Sequence, residues 1–167
     1  MHGFFRPHCR EFLSELSKLY EIIIFTAASS DYANQVIDHL DPNNELIAHR
    51  LYRGNCVEKS GLHIKDLRIF LDRELKDIIF VDNFIYSYAF QFDNGVPILP
   101  FFGDKDDSQL KELSKLLQRF AMIDQSIDIR QVISGLFRSE LWDKFGHRQD
   151  LLSRNIINWY KKLDNFL

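Results

Sequence analysis

Three polar side chains at separate points of the chain could together bind a phosphorylated ligand. Thr26 follows an apolar run at residues 21–25, and Asp82 follows another at 77–81. Lys65 lies between them in sequence. The hydroxyl could hydrogen-bond a phosphoryl oxygen, the ammonium could neutralise its charge, and the carboxylate could hold Mg2+, which prefers oxygen ligands.

The elements that must position these residues are short strands alternating with helices. Both apolar runs are too short for helices and rich in β-branched residues, which predicts strands buried on both faces of a parallel sheet. Further strands are expected at 46–52 and 96–99, and helices at 7–20, 29–40, 67–75 and 108–121. This alternation predicts an α/β fold with a doubly wound parallel sheet and helices on both faces. Ligands of such sheets bind just beyond the carboxyl ends of the strands, where Thr26 and Asp82 stand.

Each of these residues also has a purely structural interpretation. A threonine at a strand end often caps the strand, and a single lysine such as Lys65 is usually a solvated side chain. The pair Asp82-Asn83 is equally typical of a turn. Spacing alone leaves both interpretations open.

The order of the motifs resembles the small phosphatases that act on the carboxy-terminal domain of RNA polymerase II, within the haloacid dehalogenase superfamily. The resemblance covers residues 5–135. The segments that carry it are Arg6-Pro7, Tyr20 to Ala27, Tyr32-Ala33, Leu40-Asp41-Pro42, His49 to Cys56, Ile64 to Leu67, Ile79 to Asn83, Tyr86-Ser87-Tyr88, Asp93 to Ile98 and Phe101 to Asp104.

The resemblance implies a role for each matching residue. Thr26, Lys65 and Asn83 would bind the phosphoryl group, and Arg53 would lie near the substrate. Lys65 would be the remnant of the catalytic set, and Asp82 would ligate Mg2+. One local departure is Phe84-Ile85, where the family usually has a small residue followed by proline.

A second departure concerns the family's first motif, an Asp-x-Asp after an apolar strand, whose first aspartate attacks phosphorus. These 167 residues contain no such motif. Asp104-Lys105-Asp106, in a polar turn after Gly103, is a poor substitute. Without the motif we expect weak Mg2+ binding and a sheet that lacks its first central strand. An upstream segment, a strand from a protein partner or a rearranged sheet would have to fill that gap.

Composition narrows the class of partner. A formal net charge of -3 gives no indication of nucleic-acid binding, and no apolar run is long enough to span a bilayer. Cys9 and Cys56 show no disulfide or metal-site spacing and are interpreted as free thiols of a reducing compartment. We expect the nucleus or the cytoplasm, with the mitochondrion left open.

The carboxy-terminal part extends beyond the resemblance. We predict a phosphatase-like domain over residues 1–136 and a helical extension over 137–167. Within that extension an apolar seam at 4-3-4-3 spacing could pack on the same domain or dock on a partner. The seam consists of Leu152, Ile156, Trp159, Leu163 and Phe166.

Three functions follow as hypotheses. The first is a catalytically inactive phosphatase-like domain that binds a protein partner or a phosphoserine or phosphothreonine peptide. The second is an active Mg2+-dependent protein serine/threonine phosphatase whose Asp-x-Asp lies upstream of these residues. The third is a non-enzymatic subunit of the mitochondrial inner-membrane translocase. A subunit of that translocase carries the same domain, and residues 61–67 of this chain resemble its sequence.

Overall fold

The computed structural model describes residues 5–145, with side chains as far as Phe137. Short 3-10 turns connect several of the regular elements. In chain order, these elements are α1 (Cys9–Leu16), β1 (Ile23–Phe25), α2 (Ser30–Leu40), β2 (His49–Leu51), β3 (Val57–Lys59), β4 (Leu62–Ile64), β5 (Phe80–Asp82), β6 (Gly95–Pro97), α3 (Gln109–Ala121) and α4 (Ile129–Phe145). The predicted α/β alternation is confirmed. In the described part of the chain no helix is long and apolar enough to cross a membrane.

The chain divides into two compact units. The first comprises the described residues up to Asp66 together with Phe101–Ile123. The second comprises Leu67–Pro100 together with the described residues from Asp124 onward. Each unit contains one pair of parallel strands, and each is described by itself below.

In the first unit, β1 pairs with β2 in parallel, with Ile24 opposite Arg50. Ile22 and Ile24 pack on one side against a buried cluster that α1 and α2 contribute. That cluster consists of Leu13, Ala33, Ile37 and Ile47. Because strand side chains alternate between faces, Ile23 and Phe25 lie on the opposite face.

A hairpin follows β2 in the same unit. β3 and β4 pair antiparallel, with Val57 opposite Ile64 and Lys59 opposite Leu62. The two connecting residues, Ser60 and Gly61, have φ angles of 53° and 77°. Two successive positive φ values are typical of the type I′ turn, whose twist matches that of the flanking strands. The hairpin was not predicted from the sequence, which was interpreted there only as rich in turns.

In the second unit, β5 pairs with β6 in parallel, with Val81 opposite Val96. The Ile98 N–H donates to the Asp82 carbonyl, so Pro97 directs its backbone away from β5 and costs the ladder no donor. All three residues of β6 are buried. The helix α4 buries Ile129, Ile133 and Phe137, which are four residues apart and therefore share one face.

Some sequence expectations differ from the structure at the first helix. It begins at Cys9 rather than Pro7, because His8 takes a left-handed conformation with φ 65° at the helix N-terminus. It ends at Leu16, which leaves Leu19 outside the helix and 47% exposed. Leu13 and Leu16 are buried as expected. β1 is half-buried rather than buried on both faces, and among residues 5–145 it has a neighbouring strand on one edge only.

The helix predicted at 67–75 is wrong. Only two short 3-10 turns form there, at Leu67–Ile69 and Leu75–Asp77. The Leu67 N–H donates to the Gln91 side-chain oxygen at 2.9 Å, and Leu71 is 94% exposed. The helices predicted at 29–40 and 108–121 are confirmed as α2 and α3.

The carboxy-terminal predictions stand as follows. α4 runs from Ile129 to Phe145 and so continues across the domain boundary predicted at residues 136–137. That boundary stays a prediction. The apolar seam at 152–166 lies outside the described residues.

Candidate phosphate-binding site

Thr26 stands directly beyond β1, as predicted. Its N–H donates to the Leu51 carbonyl at 2.9 Å, which extends the β1–β2 ladder by one residue. Its side-chain oxygen accepts the Ala28 N–H at 3.1 Å. The hydroxyl therefore fixes the turn that follows the strand. A hydroxyl that accepts one hydrogen bond keeps its own hydrogen to donate, so the structural role and phosphate binding are compatible.

Arg53 is fastened to the same turn by two hydrogen bonds. Its Nε donates to the Ala27 carbonyl at 2.7 Å, and its backbone N–H donates to the Ala28 carbonyl at 3.0 Å. These bonds form because β1 and β2 are parallel neighbours, so that the segments leaving their carboxyl ends lie side by side. The Arg53 side chain is otherwise exposed. A guanidinium is thus held against the residues that follow Thr26.

Lys65 is positioned by the hairpin. Because Val57 is opposite Ile64, the residues just outside that pair, Cys56 and Lys65, leave the open end of the hairpin together. Burial raises the pKa of the Cys56 thiol, and the positive charges of Lys65 and Arg53 partly offset that rise. Both cations therefore lie close enough to the thiol to act on it. Lys65 is half-buried.

Cys56 connects these parts. Its Sγ lies 3.9 Å from the Thr26 carbonyl oxygen and 3.8 Å from the Tyr52 carbonyl oxygen. We call Thr26, Arg53, Cys56 and Lys65 the β1-end cluster. The sequence predicts no site role for Cys56, although the segment His49 to Cys56 is among those that carry the resemblance. Such a role becomes visible only with the hairpin, which places Cys56 beside Lys65 at its open end.

The β1-end cluster has the chemistry of an anion site. It combines two side chains of positive charge with a hydroxyl donor at the carboxyl end of a parallel strand pair. Charge-assisted hydrogen bonds from arginine and lysine to phosphate oxygens are about twice as strong as neutral ones. The three residues predicted to contact phosphate or substrate in this unit, Thr26, Arg53 and Lys65, are brought together.

Asp82 and Asn83 end β5 in the second unit. The Asp82 Oδ1 accepts the Phe84 N–H at 2.7 Å, which makes an Asx turn immediately after the strand. Asp82 is half-buried and Asn83 is exposed. Burial raises the pKa of Tyr88, and the negative charge of Asp82 raises it further, so the carboxylate lies near that buried ring.

Asp82 is the described residue that is expected to ligate Mg2+. No group of three His, Cys, Asp or Glu side chains in the described part of the chain is arranged to hold a metal ion. Asp82 would offer one carboxylate, and one of its oxygens already accepts a backbone hydrogen bond. Mg2+ requires near-octahedral coordination by oxygen. The carboxylates of Asp104-Lys105-Asp106 supply no alternative, since the Asp104 Oδ1 accepts the Asp106 N–H within its own turn.

Residues 1–130 match the sequence profile of the family described as NLI interacting factor-like phosphatase. The chain belongs to this family. A family member, CTD small phosphatase-like protein 3 of Caenorhabditis elegans, is 41% identical over 133 residues, which are 80% of this chain and 45% of that protein.

Two other relatives show how widely the domain is used. CTD nuclear envelope phosphatase 1B of Danio rerio is 36% identical over 82% of this chain and 55% of its own length. The mitochondrial import inner membrane translocase subunit TIM50 of Candida glabrata is 33% identical over 95% of this chain and 34% of its own length. The chain therefore spans between about a third and just over a half of the length of these three relatives.

The solved structure of the fission yeast RNA polymerase II CTD phosphatase Fcp1 has the same fold. It superposes with a TM-score of 0.52 at 20% sequence identity, covering 94% of this chain and 47% of that chain. The predicted α/β fold of the haloacid dehalogenase type is thereby confirmed. This NLI interacting factor-like domain is a phosphatase-like domain in sequence and in fold.

Proposed function

We propose that this chain recognises a phosphorylated serine or threonine in a protein partner without hydrolysing it. The observation that carries the proposal is the β1-end cluster, in which Arg53 is bonded to the turn after Thr26 and Lys65 leaves the hairpin beside Cys56, whose Sγ lies 3.9 Å from the Thr26 carbonyl oxygen. A phosphoryl group carries nearly two negative charges at neutral pH and offers three acceptor oxygens. Two cationic side chains and one hydroxyl match those requirements.

The proposed lack of turnover rests on the residues beyond the strands. The aspartyl-phosphate route needs a nucleophilic carboxylate at a strand end. In the first unit β1 is followed by Thr26, Ala27 and Ala28, and in the second unit Asp82 directs one oxygen to the Phe84 amide. Asp82 and Asn83 would then serve as polar contacts of the second unit, with Mg2+ bound weakly at most.

Anisotropy of a labelled phosphoserine peptide, measured beside phosphate release with Mg2+ present, tests both parts. We expect the 167-residue chain to bind the peptide in preference to its unphosphorylated form and to release no phosphate. Lys65→Ala should weaken binding about tenfold, as expected when one charged hydrogen bond is lost. Added salt should reduce affinity further, because the contact is electrostatic.

Lys59→Ala is the matched control. Lys59 is an exposed lysine of the same hairpin, at its closed end next to the turn, and its loss changes the net charge equally. We expect its affinity to stay within about twofold of the parent chain. Equal losses in both variants would contradict a specific site at Lys65. Mg2+-dependent phosphate release that disappears in Lys65→Ala would refute the proposed lack of turnover.

A second part of the proposal concerns the open edge of β1. Thr26 donates to Leu51, and Ile22 accepts from Ala48, so the backbone groups of alternate residues 22, 24 and 26 face β2. Those of Ile23 and Phe25 point to the other edge. An apolar strand edge invites pairing with another strand. We infer that a strand from outside the described residues, supplied by a protein partner or by a further segment of the same protein, pairs there.

An active Mg2+-dependent phosphatase is the alternative that this edge favours. In that case the added strand would carry Asp-x-Asp at its end, beside the β1-end cluster. Extending the chain at its N-terminus with an apolar strand ending in Asp-x-Asp should then produce Mg2+-dependent hydrolysis. The same extension ending in Asn-x-Asn is the control. If neither extension is active while both chains remain folded, this alternative is wrong.

A translocase role is favoured by a different observation. The match to TIM50 extends over 95% of the chain, whereas the match to CTD small phosphatase-like protein 3 covers 80%. On this alternative the domain contributes to protein import without turnover. Cell fractionation tests it, because a mitochondrial pool is required and the absence of such a pool would exclude the role.

A further inference from the structure

The connection from β2 to β3 carries Arg53 in a single 3-10 turn, Arg53–Asn55. The Asn55 N–H donates to the Tyr52 carbonyl at 2.8 Å. The Cys56 N–H donates to the Arg53 carbonyl at 3.0 Å. Hydrogen bonds in 3-10 turns have poorer geometry than those of an α-helix, so such turns are rarely long. A turn of three residues therefore depends on further contacts to keep its shape.

The Asn55 side chain supplies one of these contacts. Its Oδ1 accepts the Tyr52 N–H at 2.9 Å, while the Asn55 N–H donates to the carbonyl of the same tyrosine. The last residue of the turn is thus bonded twice to the residue that precedes the turn. Asn55 is exposed, so core packing gives no reason for an asparagine at this position. Its hydrogen bond to the backbone does.

The turn that Asn55 closes presents Arg53 to the end of β1. The Arg53 N–H and Nε donate to the carbonyls of Ala28 and Ala27, at 3.0 and 2.7 Å. With Nε used there, the two terminal nitrogens of the guanidinium are the donors that can meet phosphoryl oxygens. Contacts between a guanidinium and phosphate depend strongly on geometry. A displaced turn would therefore weaken them.

We propose that Asn55 is a positioning residue of the phosphate site, which acts by holding the 3-10 turn that carries Arg53. This inference rests on the proposed function, since it concerns the same β1-end cluster. All the contacts that support it lie within the first unit. Asn55 acts through Arg53 and need not touch the phosphoryl group.

Anisotropy of a labelled phosphoserine peptide, measured at several salt concentrations, tests the proposal. Asn55→Ala should weaken binding about fivefold, as expected when one hydrogen bond that holds the site is lost. The affinity should also depend less on salt, because a charged contact has weakened. Asn55→Ser should reduce the loss to about twofold, since a serine hydroxyl can make the same kind of backbone bond more weakly.

Two comparisons separate positioning from a general structural effect. All chains are compared at a temperature at which circular dichroism shows them folded, so a variant that is only less stable would bind like the parent. Asn43→Ala is the matched control, because Asn43 is an exposed asparagine in the turn between α2 and β2. We expect its affinity to stay within about twofold of the parent chain.

A double-mutant cycle tests whether Asn55 acts through Arg53. In an Arg53→Ala chain, Asn55→Ala should weaken binding by less than about twofold, because the side chain that it positions is already gone. A further fivefold loss in that background would overturn the proposal, and so would parent-like affinity in the single variant Asn55→Ala. Either result would leave phosphate recognition standing. If the parent chain binds the phosphorylated and unphosphorylated peptides equally, the proposed function itself fails, and this inference fails with it.

Discussion

Gly95 is the position where the structure predicts the largest effect of a single added carbon. A Cβ at this residue would fall on the Tyr88 ring, closest to Cε2 and Cδ2 and 2.8 Å from Cζ. Ordinary van der Waals contact begins at 3.4 Å. To reach 3.4 Å from its 2.8 Å, Cζ would have to move by 0.6 Å. The two nearer ring carbons would have to move further.

The Tyr88 ring has little room for that movement. It is 1% exposed and packs edge-on against Phe80, with ring centroids 5.6 Å apart, and at a tilt of 50° against Phe92, with centroids 5.7 Å apart. The backbone of Gly95 is also restrained, because it pairs with Phe80 in the β5–β6 ladder. Overpacking of a close-packed core costs about 1–3 kcal/mol. With both the ring and the strand restrained, we expect Gly95→Ala to lower the free energy of unfolding by about 3 kcal/mol.

Urea unfolding followed by circular dichroism measures this change. The midpoint should fall by about 1–2 M while the slope stays constant. Gly135→Ala is the matched control in the same unit, since nothing lies within 4 Å of a Cβ there. In helix α4 that substitution should stabilise by up to about 1 kcal/mol.

A double-mutant cycle separates the steric explanation from a general effect on the strand. Tyr88→Leu removes the ring that the new carbon would meet. If the steric explanation holds, Gly95→Ala should cost at least about 1 kcal/mol less in the Tyr88→Leu background than in the parent chain. Additive effects of the two substitutions, or a Gly95→Ala chain within about 0.5 kcal/mol of the parent, would refute the reasoning.

Three further predictions concern contacts within the first unit. The buried Asp41 carboxylate accepts three backbone N–H groups, so Asp41→Ala should cost at least about 2 kcal/mol in urea unfolding. Burial raises the Asp41 pKa, but those N–H donors and the Arg50 charge outweigh it and hold the pKa below its usual value. The stability that the Asp41 carboxylate contributes is therefore present above about pH 4 and is lost as the pH falls further. Acid titration should show a smaller loss of stability over that range in Asp41→Ala than in the parent chain. Arg6→Lys breaks a two-bond contact with Asp107, at 2.8 and 2.7 Å, and should cost about 1–2 kcal/mol in unfolding free energy, whereas an unchanged midpoint would contradict it. Tyr20→Phe removes a 2.6 Å hydrogen bond and should cost about 1 kcal/mol in unfolding free energy. Burial raises the Tyr20 pKa to about 12, so in spectrophotometric titration the variant should lose an ionisation near that pH that the parent chain shows.

The elements predicted best from the sequence are those whose ends are marked by residues that start or stop them. The helix α2 begins after Ser29 and ends before Asp41-Pro42, as expected, although the Ser29 side chain makes no capping hydrogen bond. Pro42 cannot continue a helix, and the buried Asp41 carboxylate binds the three amides of Glu45, Leu46 and Ile47. Local chemistry alone decides such a boundary, so a single sequence is enough to find it.

Elements that depend on distant partners were predicted less well. Residues 67–75 have helical periodicity, but they form two 3-10 turns, and the first of these is attached through the Leu67 N–H to the Gln91 side chain, 24 residues away in sequence. No local pattern could reveal that bond. The hairpin of β3 and β4 is a different case, because it could be predicted locally. Ser60-Gly61 between alternating apolar residues is typical of a two-residue hairpin turn. Missing the hairpin also concealed why Cys56 and Lys65 lie together.

The way the β1-end cluster is built determines how its proposed role should be tested. The Arg53 Nε holds the turn after Thr26 through the Ala27 carbonyl, so Arg53→Ala would alter that turn as well as remove a charge. Lys65 takes its backbone position from the register of the hairpin. Loss of phosphopeptide affinity in Lys65→Ala would report on charge at the site, whereas the same loss in Arg53→Ala would report on charge and on turn geometry together.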